Sequence, residues 1–131
     1  MARLPYPGGS TSSEASRFWV TVQVGPRGGQ FSPPLRALVD TSSRYTWIPR
    51  QVLEAVGATP ERVWPFEHSD GRKESYAMGW VQIRLEAREE PTLVVFAPAG
   101  SEPVLGSVTL AGFGLAADPP NEALISVPGR L

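Results

Sequence analysis

The chain has no cysteine and one histidine, His68. The first absence excludes disulfides, thiolate metal sites and a cysteine nucleophile, and the second excludes a multi-histidine metal site within one chain. No stretch approaches the roughly 18 consecutive apolar residues of a membrane span, and residues 1–16 lack the apolar centre of a signal peptide. Twelve Lys and Arg stand against thirteen Asp and Glu, a formal net charge of −1. That balance creates no long-range field to draw nucleic acid or an anionic membrane surface. The expectation is a soluble, cytoplasmic protein with no nucleic-acid or membrane partner, no metal and no cofactor. Its 131 residues fit one domain, since domains commonly run to roughly 100 to 150 residues.

Proline and glycine are plentiful, at fourteen and thirteen. Spread among short apolar runs, they interrupt helices at many points and favour a β-rich fold. Residues 1–16 carry Pro, Gly, Ser and Thr with almost nothing to bury. Ordering them would cost more conformational entropy than their contacts return, so they are expected to form a mobile arm ahead of a domain at 17–131. Phe18, Val20, Val22 and Val24 alternate with Trp19, Thr21 and Gln23, the period of two of a strand. After a turn across 25–34, Leu35-Arg36-Ala37-Leu38-Val39 becomes continuously apolar toward Asp40, as a buried strand that delivers a carboxylate at its end.

Residues 44–48 read as a further strand, and 49–56 as a short helix with proline in its first turn, Gly57 as its stop and Val52, Leu53 and Val56 facing inward. A loop then runs through Pro60 and Pro65. Ser69-Asp70-Gly71-Arg72 is a hairpin signal between segments able to pair. Val81, Ile83 and Leu85 alternate along the next strand, and Glu89-Glu90-Pro91 is expected to turn into a strand over 92–96. Pro103-Val104-Leu105-Gly106 reads as a buried strand ending at glycine. One or two helical turns over 107–113, a turn at Asp118-Pro119-Pro120-Asn121 and a last strand over 123–127 complete the pattern.

Several of these segments, in this order, resemble the retropepsin-like aspartic proteases over residues 17–127. Ala37-Leu38-Val39-Asp40-Thr41-Ser42-Ser43 is similar to the family's apolar run followed by Asp-Thr-Gly-Ala or Asp-Ser-Gly-Ala. Ile48-Pro49-Arg50 and the helix to Gly57 are similar to the segment that follows it. Asp70-Gly71 sits where the family has its flap hairpin, and Val104-Leu105-Gly106 resembles the apolar pair and glycine that brace the active-site loop from behind. The segment 110–118 and Leu124-Ile125-Ser126-Val127 resemble the short helix, turn and terminal dimer strand.

The resemblance implies an all-β closed barrel with one or two short helices, paired as a homodimer that hydrolyses extended polypeptide. Two adjacent carboxyls share one proton, because like charges that close resist ionising together. One activates a water and the other hydrogen-bonds to the scissile carbonyl. A single Asp-Thr-Ser motif supplies half the pair, and an isologous two-fold contact supplies the rest. By resemblance Asp40 is catalytic, and Thr41, Ser42 and Ser43 form the active-site loop. Ser69, Asp70, Gly71 and Arg72 form the flap that closes over substrate, and Val104, Leu105 and Gly106 support the loop.

Ser42 stands where the family has glycine, and a side chain there would narrow the path of substrate backbone. That departure motivates a second reading, a catalytically silent dimer of the same fold that binds peptides or joins assemblies. A third is a monomeric β-barrel interaction module in which Asp-Thr-Ser is an ordinary Asx turn. The remaining residues have plainer readings. His68 is a solvated loop residue, the lone histidine and the lack of a Gly-x-Ser-x-Gly elbow set Ser42 and Ser43 apart from a serine hydrolase, and the tryptophans belong to core or subunit contact. The charges at Arg84, Glu86, Arg88, Glu89 and Glu90 make a solvated strand face and turn.

Overall fold

The structure, a computed structural model, describes residues 17–129. The expected arm at 1–16 and the last two positions of the expected domain lie outside the described residues. The alternating run at the start forms β1 (Trp19–Gly25), antiparallel to β2 (Leu35–Val39) through pairs from Trp19↔Leu38 to Val22↔Leu35. Next come β3 (Thr46–Pro49) and α1 (Arg50–Ala55), whose Leu53 is buried, with Val52 and Val56 packed partly against the core. Then follow β4 (Arg62–Glu67), β5 (Lys73–Leu85), β6 (Arg88–Ala97) and the two-residue β7 (Val104–Leu105). α2 (Ser107–Phe113) is stopped by Gly114 in the left-handed region at φ 68°, where a residue without a Cβ carries no steric penalty. β8 (Leu115–Asp118), a 3-10 turn at Pro119–Asn121 and β9 (Ala123–Ser126) end the described fold.

Seven strands form one sheet in the order β1-β2-β7-β3-β6-β5-β4. β1 also pairs with β5 from Gln23↔Arg84 to Gly25↔Gln82, so the path from strand to strand returns to its start. β2 and β3 follow each other in the chain but are not neighbours, because β7 is inserted between them, parallel to β2 and antiparallel to β3. Both residues of β7 are fully buried, as a central strand covered on both faces requires. The link from Val39 to Thr46 must therefore arch over the end of β7, and it carries Asp40. β8 and β9 form a separate two-stranded hairpin. The main core gathers Val22, Val24, Ile48, Ile83, Leu105 and Phe113 with their neighbours inside the curved sheet.

Three expectations change. Glu89-Glu90-Pro91 is not a turn: these residues lie inside β6, and the chain reverses earlier, at Glu86 and Ala87, with φ of 52° and 66°. Proline is tolerated at position 91 because β6 meets β3 only from Val94 onward, so one edge of the strand is open there. Pro65 likewise lies in a strand rather than a loop, on β4 at the edge of the sheet, paired with Ser75. Arg44 and Tyr45 belong to the arch, and β3 begins at Thr46. Leu115–Asp118, ahead of the turn expected from Asp118, forms the additional strand β8, held by four register pairs to β9.

Candidate active site

Asp40 follows β2, whose last three residues are buried and whose flanks are occupied by β1 and β7. Its amide donates to Leu105 O at 3.1 Å and its carbonyl accepts from the Ser43 amide at 3.1 Å. The carboxylate is half-buried. Oδ1 accepts the Ser42 amide at 3.0 Å and the Ser42 hydroxyl at 2.5 Å. Oδ2 is buried and receives no hydrogen bond from the described residues, an unmet demand of about 1–3 kcal/mol for a polar atom. Thr41 and Ser42 are exposed. Ser43 turns inward, and its hydroxyl donates to Tyr45 O at 2.8 Å.

The arch is braced from behind by main chain. Leu38 N–H donates to Pro103 O at 2.9 Å, Ser107 N–H to Ser43 O at 2.8 Å and Val108 N–H to Arg44 O at 2.9 Å. Gly106 is where the two segments press together: a Cβ there would lie 2.3 Å from Tyr45 O and 2.9 Å from Arg44 O. Its amide donates to Thr46 Oγ1 at 3.0 Å. The Thr46 and Thr109 hydroxyls are 2.6 Å apart and those of Thr92 and Thr109 2.8 Å, all three side chains being buried. Buried hydroxyls that satisfy one another tie β3, β6 and α2 together beneath the arch. Sequence reasoning missed this network, whose members stand far apart in the chain; threonines set between apolar neighbours at 46, 92 and 109 were its only signal.

The structure brings Asp40, Thr41, Ser42 and Ser43 together with Val104, Leu105 and Gly106. Ser69, Asp70, Gly71 and Arg72 lie at the far tip of the β4–β5 hairpin. There Arg72 N–H donates to Asp70 Oδ1 at 2.9 Å, Gly71 has φ 86°, and His68 N–H donates to Arg72 O at 2.7 Å. The bond from the Arg72 amide holds the Asp70 carboxyl below its ordinary value. His68 is not a freely solvated residue: its Nε2 lies 3.0 Å from Glu74 Oε1 and its side chain is only 11% exposed. That hydrogen bond, with the Tyr76 hydroxyl and Arg72 nearby, lowers the Glu74 carboxyl.

Below the tip, rings take over. Tyr45, Trp47, Phe66 and Tyr76 pack edge to face, with centroids 4.9–6.0 Å apart, the arrangement favoured by aromatic quadrupoles. Met78, Val95, Ala97 and Val104 complete this second cluster. It joins the base of the hairpin to the arch through Tyr45 and to β7 through Val104. Burial, and then the Glu74 carboxylate, push the Tyr76 hydroxyl up to about 12; it makes no hydrogen bond of good geometry. Trp47 sits in this cluster, whereas Trp64 and Trp80 are 52% and 57% exposed in the single chain and lie outside its core.

On the other side of the arch, Thr41 shares a hollow with Leu110, Ala111, Leu115, Val127 and Pro128. Ile125 and Val127 are exposed beside it, and β9 pairs only with β8 among the described residues. Among those residues no three acidic or histidine side chains converge as a metal site would require, and no helix is long and apolar enough to cross a membrane.

No protein-family model matches the chain, and no curated protein does. Solved structures do. The simian foamy virus (mac) protease is 15% identical with a TM-score of 0.53, over 71% of this chain and 91% of the viral one. The EIAV protease in complex with the inhibitor HBY-793 is 19% identical with a TM-score of 0.53, over 75% and 88%. Lpg0085 of Legionella pneumophila, a DUF785 protein of unknown function, is 13% identical with a TM-score of 0.48, over 84% and 94%. The likeness to the two viral enzymes is one of fold: the chain is mostly β, with few helices, and built like a retroviral protease.

Proposed function

We propose that the chain is an aspartic endopeptidase whose active site forms when two copies bring their Asp40 carboxyls together across a two-fold axis. The observation that carries this reading is the position of Asp40, at the end of a buried strand on a short arch locked by main-chain bonds to Leu105, Ser107 and Val108, within a fold like that of the retroviral proteases. A carboxylate held so firmly suits chemistry that depends on placing one charged group against another. β1 pairing with both β2 and β5 favours the closed barrel. The exposed Thr41, the hollow beside it and the open edges of the β8–β9 hairpin favour a second copy on that side.

In the dimer one carboxyl is ionised and takes a proton from a water as that water attacks the scissile carbonyl. The protonated partner carboxyl hydrogen-bonds to the carbonyl oxygen, and a proton then passes to the leaving amine. The β4–β5 hairpin closes over an extended peptide and offers it strand-like hydrogen bonds. Thr41 lies at the junction of the two arches, where its hydroxyl is available to the opposite loop. The rival reading, a silent peptide-binding dimer, draws on Ser42, whose hydroxyl occupies Asp40 Oδ1.

The test is cleavage of a diverse peptide library by the purified chain and by Asp40→Asn. The expected result is a dimer in analytical ultracentrifugation for both proteins, with cleavage reduced by roughly three orders of magnitude or more in the variant. Equal cleavage by the two proteins refutes the catalytic assignment. A dimer without cleavage supports the silent reading, and a monomer at high concentration supports the isolated interaction module.

A further inference from the structure

We infer that Ser42 is a positioning residue for Asp40: its hydroxyl and amide converge on one carboxylate oxygen and fix the direction in which the group faces. The consequence for turnover rests on the endopeptidase reading; the positioning itself does not. Both bonds end on Oδ1, the amide at 3.0 Å and the hydroxyl at 2.5 Å. The second length lies in the range of a hydroxyl donating to an ionised oxygen, about 2.5–2.7 Å, where such bonds are strongest. Any residue at position 42 supplies the amide, but only a hydroxyl-bearing one supplies the second donor.

The donor is itself well anchored. The Asp40 amide is bound to Leu105 O and the Asp40 carbonyl to the Ser43 amide, so the backbone that carries Ser42 cannot drift from the carboxylate. Oδ2 receives no hydrogen bond from the described residues. The two bonds from Ser42 are therefore what selects the carboxylate's rotamer, because two side-chain torsions would otherwise be limited only by packing. Ser42 is exposed. Its hydroxyl consequently acts on Asp40 without filling the core, and its removal opens no cavity. The same contact turns the side chain back onto its own loop, which limits its intrusion into the space outside the arch.

The deciding measurement is the set of three-bond couplings between the α and β protons of Asp40 in the full chain, wild type, Ser42→Ala and Ser42→Thr. One fixed rotamer is expected in the wild type and in Ser42→Thr, and averaged couplings in Ser42→Ala, with the backbone amide shifts of the rest of the chain unchanged. Identical couplings in all three proteins overturn the inference, whether or not any of them cleaves peptide. With a cleavable peptide, Ser42→Ala is expected to lower kcat about tenfold while KM stays within about twofold, and Ser42→Thr to recover most of the loss. An unchanged kcat in Ser42→Ala overturns the catalytic consequence. Wild-type protein that cleaves nothing refutes the endopeptidase reading and leaves the couplings to decide the role of Ser42.

Discussion

The arch that carries Asp40 and the hairpin that ends at Gly71 face the same cleft in the proposed enzyme, yet they are held in opposite ways. The arch is clamped by main-chain bonds from Leu105, Ser107 and Val108 and by a glycine pressed against Tyr45. The hairpin has its own ladder of six register pairs and two main-chain bonds at its tip, but apart from the His68–Glu74 bond the side-chain contacts there are exposed ion pairs, with Arg72 at 3.7 Å from Asp70 and 3.8 Å from Glu74. Exposed ion pairs contribute about 0–1 kcal/mol, whereas buried, mutually satisfied groups resist opening. Regions with few buried contacts open locally before the rest of a protein does. A group that must be aimed thus sits on the rigid element, and the part that must admit and release a chain sits on the loose one.

The comparison breaks most visibly at Gly106. Gly106→Ala would force a Cβ against Tyr45 O, with backbone rather than a yielding side chain in the way, and should destabilise the protein by about 3 kcal/mol or more. A urea-unfolding midpoint equal to the wild type would show that the arch is not tightly clamped. Thr109→Val keeps the volume but removes the hydroxyl that Thr46 and Thr92 share, leaving Thr46 with the Gly106 amide and Thr92 without that partner, a loss of about 2 kcal/mol in the same assay.

Glu74→Gln should leave the unfolding midpoint unaltered and act on the hairpin tip alone. The folded Glu74 carboxyl lies below its ordinary 4.5. Its ionised form therefore steadies the tip above about that pH, and the effect fades as pH falls through the lower folded value. Protection of amides 68–74 against hydrogen exchange, corrected for the intrinsic rate at each pH, should fall with acidification in the wild type and lose that dependence in Glu74→Gln. Protection that falls equally across the arch would erase the distinction between the two regions.

The strand leading to Asp40 was legible because five residues of rising hydrophobicity end in a single acidic side chain, and the hairpin because Asp-Gly suits a turn with positive φ. The start of β6 was not. Charged residues and Pro91 looked like a turn, while the actual reversal uses Glu86 and Ala87 in left-handed conformations that no local preference announces. There the pairing of β5 with β6 over eight registers overrides the residues' own tendencies. His68 looked solvated for a similar reason: Glu74, its partner, comes alongside only once β4 and β5 have paired.

Periodicity and composition sufficed for a β-rich chain that places a carboxylate at the end of a buried strand, because those features depend on residues a few positions apart. Tertiary structure alone decided how that carboxylate is aimed and braced. Gly106 and Thr46 are 60 positions apart, and they meet because β7 slides between two strands that are consecutive in the chain. No pattern of neighbouring residues encodes that insertion; it follows from which apolar faces can be buried together once every strand is in place.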